Sequence, residues 1–505
     1  MNTKRSLSYA LRLLYVTTFA GVIVLFAHAL EPSRTASAAG TYTVNTTSDT
    51  HCTGFISQGA PTCGGPTDGG GHISLRSALE AASAFAGNTT ISLPAGTYNL
   101  SLGDLVAGTA TNTSITIHGA SAASTTIQQS QAKRLAIVVN YNLSANVVFQ
   151  LDNVTISGGN EDETDPDGFG GNGGAILAGG SSTATGNAVT ITNVVFSGNY
   201  CSPAANAGCT GGAINMTGGG NLTVAHCTFS GNTASKNRGF GAGGAIYFDN
   251  GGQPGNVSIT NSTFTNNTAN GSATTGGQGG AVHLAGGAGT THAVNTNTFT
   301  GNTANGTAGA GANGGAMTAI SGFLTANYNR ITGNTAAAAS GIYVANNANT
   351  WGDERYGWWG CNGGANAAGC DTTFPTTSST MPLSNGQIAF NPWIVLTNTP
   401  SPAAIQVNQT TTLTAGFLQD SNGGSLTTSQ VSRLLGLPVT WGNAQKGVLS
   451  SQQATIQSAG TATATFTATF TGAGSANATV DNATATAAIT IDKATATLYL
   501  PLIER

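Results

Sequence analysis

Asn256-Val-Ser-Ile-Thr-Asn-Ser-Thr-Phe264-Thr-Asn-Asn267 is the stretch on which the fold turns. Val257 and Ile259 alternate with hydroxyl side chains, the two-residue period of a strand with one buried face. The strand runs into a Phe-x-x-Asn turn, and that turn recurs at 196–199, 229–232, 264–267 and 299–302, with Ile331-Thr-Gly-Asn334 as a variant. Successive Phe or Ile positions lie 33, 35, 35 and 32 residues apart. A second mark, Gly-Gly-Ala-apolar, ends at Ile176, Ile214, Ile246, Val282 and Met317.

Each such strand is too short to bury a face alone, so it must stack on its equivalent one repeat later. One coil per repeat gives a right-handed parallel β-helix. Stacking places Phe196, Phe229, Phe264 and Phe299 in one interior column. Asn199, Asn232, Asn267, Asn302 and Asn334 become a structural ladder at the bend, where Asn tolerates left-handed backbone and amides bond to one another. A helical solenoid is excluded by the Gly, Thr and Asn content. The intervals at 235–242 and 270–278 vary and are expected as loops on one side, suited to recognition. Working back from the repeats, 90–98, 114–117, 135–139 and 147–156 read as strands of the same body. Nine or ten coils follow, a rod of roughly 45 Å at about 4.8 Å per coil.

The ends of such a body need covering. At one end, 75–85 reads as a short helix with Ser74 as N-cap, stopped by Gly87. At the other stand Trp351, Tyr356, Trp358 and Trp359, as an aromatic plug or, alternatively, a sugar-stacking platform. The expected domain order is a signal peptide at 1–38, the β-helix with its caps at 39–371, and a Thr/Ser/Pro linker at 372–390. An immunoglobulin-like β-sandwich at 391–492 and a tail at 493–505 follow.

Lys4, Arg5 and Arg12, an apolar run and Ala36-Ser37-Ala38 form the export signal, so the mature chain is expected to be secreted or at the cell surface, without a membrane span. Cysteine usage agrees with an oxidising compartment. Close spacing pairs Cys52 with Cys63, Cys201 with Cys209 and Cys361 with Cys370, and leaves Cys227 as a core residue. Charged residues are 7% of the chain and the net charge is −4, which offers nucleic acid no field to follow.

Thr43-Val-Asn-Thr-Thr, two cysteines and Ile73-Ser-Leu-Arg-Ser-Ala-Leu-Glu-Ala81 resemble the CSLREA domain, with Ile73 in place of the motif's Cys and Ser77 in place of its Glu. The Gly-Gly-Ala-Ile and Phe-x-x-Asn marks resemble the polymorphic outer membrane protein repeats of pectin-lyase-like β-helices. That resemblance implies surface exposure and adhesion. Trp358-Trp-Gly-Cys-Asn362 is similar to the end of such helices in other bacterial secreted proteins, and the tail domain resembles invasin-type immunoglobulin-like domains.

This fold hosts lyases, hydrolases, adhesins and inert stalks, so chemistry must come from the residues. Between Ile156 and Val344 the acids are Glu161, Asp162, Glu163, Asp165, Asp167 and Asp249, and the bases Lys236, Arg238 and Arg330 besides His226, His283 and His292. Glycoside hydrolysis needs two carboxyls across one bond, and the one candidate partnership, Asp249 with the acidic loop, is split by about two coils. Glu161, Asp162, Asp165 and Asp167 would offer oxygens to a calcium ion, against the plainer reading of a solvated insertion. No other cofactor is expected. The reading is a non-catalytic adhesion or binding rod for a polysaccharide or cell-surface ligand, without lyase or hydrolase turnover on polysaccharides. A polysaccharide lyase or glycoside hydrolase, or a purely structural stalk, are the alternatives.

Overall fold

The computed structural model describes residues 40–493, apart from short stretches at 57–62, 85–86, 109–112, 132–135, 140–146, 162–171, 180–186, 202–208, 236–240, 273–274, 288, 307–310, 346 and 348. The signal peptide at 1–38, Asp162, Glu163, Asp165, Asp167, Lys236, Arg238 and the tail beyond Lys493 lie outside the described residues.

Among the described residues the regular secondary structure is almost entirely strand, and the strands stack in long parallel sheets, consistent with a parallel β-helix. One sheet has eleven strands, from Gly40–Thr43 to Ile388–Ala389; others have nine, eight and five. Each turn of the chain adds one strand to each long sheet, and partners are the equivalent residues of adjacent repeats: Val257 with His292, Phe264 with Phe299, Val282 with Met317. Inward positions form apolar columns such as Ile137, Ile176, Ile214, Ile246, Val282, Met317 and Ile342, all fully buried. The four phenylalanines stack with ring centroids 4.8, 4.7 and 4.8 Å apart and planes within 8°.

The bend after them is hydrogen-bonded in full. From Asn232 on, each Asn Oδ1 accepts from the backbone N–H and from Nδ2 of the Asn one coil earlier, Asn199 Oδ1 accepts from Gly159 N, and each Nδ2 also donates to a carbonyl of an earlier coil. For Asn267 the partners are Asn232 N at 3.0 Å and Asn232 Nδ2 at 2.9 Å, with Nδ2 donating to Phe229 O and Asn302 Oδ1, both at 2.9 Å. The ladder ends on a carboxylate that the repeats do not announce. Asp371 Oδ2 accepts from Asn334 N at 3.1 Å and Nδ2 at 2.7 Å. Left-handed backbone falls one residue before the ladder, at Gly198, Gly231, Asn266, Gly301 and Gly333, so the ladder asparagines are kept for their amides.

The glycine pairs divide two tasks. The first member has φ of +74°, +73°, +63°, +64° and +64° at Gly173, Gly211, Gly243, Gly279 and Gly314, a region that excludes most side chains. The second sits where a Cβ would strike the carbonyl of the next coil, as at Gly244 against Gly280 O.

The helix Leu75–Ala84 covers one end. Ser74 and Ser77 cap each other, Ser77 N donating to Ser74 Oγ at 3.0 Å and Ser74 N to Ser77 Oγ at 2.9 Å. Ser77 thus supplies the reciprocal bond that a Glu or Gln makes in a capping box.

Two differences stand out. Residues 372–390, expected as a linker, contribute strands Thr373–Phe374 and Ile388–Ala389, paired in parallel with Ile342–Val344 and Thr350–Asp353. Thr373–Phe374 is the edge strand of the nine-stranded sheet, and Ile388–Ala389, with Gly40–Thr43 at the other edge, brings the longest sheet to eleven rungs. Next, residues from Ile394 on form two four-stranded sheets, mostly antiparallel, around a core of Leu413, Phe417, Phe466 and Ile489. Strands Thr410–Asp420, Thr440–Gln445, Thr461–Ala468 and Ala483–Asp492 lie within the span 391–492 expected for the sandwich. The domain packs directly on the coils rather than hanging from a tether. Arg433 donates to Thr263 Oγ1 at 2.6 Å and Thr298 Oγ1 at 3.2 Å, and Asn482 N to Gly360 O at 2.9 Å.

Candidate functional site

Alternation along each strand turns every second side chain outward, and stacking aligns those side chains coil after coil. On the eight-stranded sheet one outward column runs Ser157, Ser197, Ser230, Thr265, Thr300 and Thr332. Beside it, across the Asn bend, Thr233, Thr268 and Thr303 continue the pattern on the five-stranded sheet. These faces carry hydroxyls and amides with almost no charge.

The nine-stranded sheet is different. Its column on the side away from the core passes from Val138 and Leu177 through Asn215, Tyr247, His283 and Thr318 to Tyr343, and all of these but the half-buried Tyr247 and Tyr343 are buried. Tyr247 and His283 stack with ring centroids 5.0 Å apart. Asp249, half-exposed at the strand end, accepts from Tyr247 Oη at 3.3 Å and from Gly251 N at 2.9 Å. Burial holds the His283 imidazole down at about 4, and burial together with Asp249 pushes the Tyr247 phenol up. A carboxylate, a phenol and a neutral imidazole therefore meet on one face.

Asp249 and Glu161 are not brought together. Glu161 belongs to a strand, Asn160–Glu161, paired with Tyr200–Cys201 and fully buried, on the five-stranded sheet and two coils earlier. It is therefore not part of a solvated insertion; Asp162, Asp165 and Asp167 lie outside the described residues. Among the described residues one group of side chains approaches metal-binding geometry, Cys52, Cys63 and Glu80, and there both thiols are joined in a disulfide. Cys201–Cys209 and Cys361–Cys370 are joined likewise. Cys227 is free and buried, and burial pushes its thiol up to about 12, which leaves it unreactive.

The four C-terminal aromatics separate into two kinds. Trp358 and Trp359 are fully buried, Trp358 in the sandwich core edge-on to Phe417 at 4.8 Å and Trp359 in the core of the coils. Trp351 and Tyr356 are half-buried, Trp351 against Phe323 and Tyr356 stacked on Tyr328, the two tyrosines packed against the sandwich core.

Sequence reasoning missed the Tyr247–His283 stack. The signal was present, since Tyr247 and His283 each follow the apolar residue that closes a Gly-Gly-Ala mark. No protein-family profile, no curated protein and no solved structure matches the chain at a significant level. The family resemblance therefore rests on the quoted motifs.

Proposed function

We propose that the chain is an extracellular or cell-surface binding rod, a right-handed β-helix of the pectin-lyase-like kind bearing an immunoglobulin-like sandwich, and that it holds a polymeric glycan without cleaving its glycosidic bonds. The observation that carries this reading is the outward Ser/Thr columns. A ligand with its own repeat would meet the same hydroxyl on every coil, about 4.8 Å apart. An uncharged hydrogen-bonding face suits a neutral polysaccharide better than a nucleic acid or an anionic surface. The sandwich, packed against the last coils and bonded to Thr263 and Thr298, covers part of that face and so limits where a chain would lie.

The test is a polysaccharide panel scored for retention and for new reducing or unsaturated ends. Retention without cleavage is expected, and it should be lost when 235–242 or 270–278 is exchanged. No retention on any member would sink the binding rod and favour the inert stalk. A second reading, a lyase or hydrolase, draws on the Tyr247, Asp249 and His283 cluster. Cleavage that disappears in Asp249→Ala would favour it.

A further inference from the structure

Ser92, His118 and Asp152 stand on three consecutive rungs of the eleven-stranded sheet, Ser92 in register with His118 and His118 with Asp152. Each follows a fully buried or nearly buried core residue, Ile91, Ile117 and Leu151, so alternation turns all three toward solvent. His118 Nδ1 makes a close contact with Asp152 Oδ1. Asn153, at the left-handed bend, donates from Nδ2 to the same carboxylate oxygen at 2.8 Å and holds it in place. The His118 side chain is 52% exposed and that of Asp152 25% exposed, so the pair is open to a solute. Asp152 and Ser92 occupy the rungs on opposite flanks of His118, Ser92 one rung back, about 4.8 Å along the rod.

We propose that Ser92, His118 and Asp152 are a nucleophile, base and orienting acid that hydrolyse short-chain acyl esters, such as O-acyl groups borne by a glycan lying on this face. His118 Nε2 takes the proton from Ser92 Oγ as that oxygen bonds to the ester carbonyl carbon. The carbon–oxygen bond to the alcohol breaks, and the alcohol leaves with the proton from His118. Asp152 fixes the tautomer and balances the charge on the ring while it is protonated. Water then attacks the acyl group on Ser92, giving a proton to His118. The carboxylic acid departs as Ser92 Oγ regains that proton. Water is the one co-reactant. An acyl group projects from its polymer, so it can reach a shallow triad on an open sheet that a glycosidic bond within the chain could not.

The inference goes beyond the binding rod and does not depend on it. Its test uses the full chain, a fluorophosphonate probe with peptide mapping, and p-nitrophenyl acetate turnover. A single adduct on Ser92 is expected, absent in Ser92→Ala and in His118→Ala. Ester turnover should fall on the order of a hundredfold in His118→Ala, the usual weight of a positioned base. The thermal melts of the variants should match the parent, because the three side chains face outward. Absence of any Ser92 adduct in the parent, or turnover that survives Ser92→Ala, overturns the triad. Ser92 labelling in a protein that binds no polysaccharide would sink the rod reading and leave the triad standing.

Discussion

At the N-terminal end the coils are closed by the helix Leu75–Ala84, and with it Arg76 is carried into the interior. Its guanidinium meets Asp49 at 2.6 and 3.1 Å and donates to Asp104 O at 2.7 Å and Gly103 O at 2.6 Å, with both side chains at most 3% exposed. Asp49 also accepts from Ser101 N and Leu102 N. At the C-terminal end Trp358 fills the space under the sandwich, and the ion pair there is more open: Arg330 to Asp481 at 2.5 Å, with the two side chains 13% and 14% exposed. Asp481 accepts from Trp358 Nε1 as well, at 2.7 Å. The first end is closed by a charge satisfied from every side. At the second, an aromatic side chain does the burying and the ion pair sets orientation.

The difference can be broken first at Arg76. Arg76→Ala leaves Asp49 buried without its counter-ion, and removing one partner of a buried pair costs about 3–5 kcal/mol. Urea unfolding should show a loss of that size, and a loss under about 1 kcal/mol would mean that the end is held by helix packing alone.

Between the ends, Asn267→Ala removes a middle rung of the amide ladder. It removes the acceptor of Asn232 N, one of the two acceptors of Asn232 Nδ2 and the amide that donates to Phe229 O, while Asn302 Oδ1 keeps its bond from Asn267 N. The backbone there is not left-handed, so strain adds nothing and the lost hydrogen bonds should cost about 2–3 kcal/mol. An unchanged melting curve would mean that solvent replaces the rung. Arg330→Ala should cost less, about 1 kcal/mol, because water reaches both partners. Its sharper readout is faster limited proteolysis between the coils and the sandwich, and an unchanged cleavage rate would show that Trp358 alone holds the seam.

What the sequence made legible is what repeats with a period of 32–35 residues: the Phe column, the Asn ladder and the glycine pairs. Asp371 was not legible because it ends the ladder once, in a segment with no repeat mark. Thr373–Phe374 and Ile388–Ala389 were hidden for a related reason. Two residues carry no period of their own, and their pairing is imposed by the rung beneath them. Thr, Ser and Pro around them read as linker by composition. Ser92, His118 and Asp152 escaped because the first coils depart from the later spacing. The aligned Ile91-Ser92, Ile117-His118 and Leu151-Asp152 pairs become visible once the register is known.

The smallest expected effect is also the one whose sign changes. Glu354 is fully buried near the C-terminal end; its N–H donates to Ala389 O at 2.7 Å and its Oε2 accepts from Thr373 Oγ1 at 2.8 Å, so one residue ties both strands of the last coil. Burial pushes its carboxyl up to about 8, with Asp353 adding to the rise and the Thr373 bond opposing it. Asp353 itself is paired with Arg355 at 2.9 Å. A carboxyl raised by folding keeps a proton that the unfolded chain releases. Its contribution is complete below its ordinary value of 4.5 and is lost as the pH rises to about 8. His283 and His292 act in the opposite direction. Burial lowers both from 6.5 to about 4, so their contribution is present above 6.5 and lost as the pH falls toward 4. Stability should therefore decline on both sides of a broad maximum. Glu354→Gln replaces the neutral acid by a neutral amide, so at pH 5 the variant should lie within about 1 kcal/mol of the parent. At pH 9 the parent must carry a buried charge that the variant lacks, and the variant should then be the more stable of the two. Urea midpoints at pH 5, 7 and 9 would trace the crossing, and an alkaline decline equally steep in both proteins would place the responsible proton on another group.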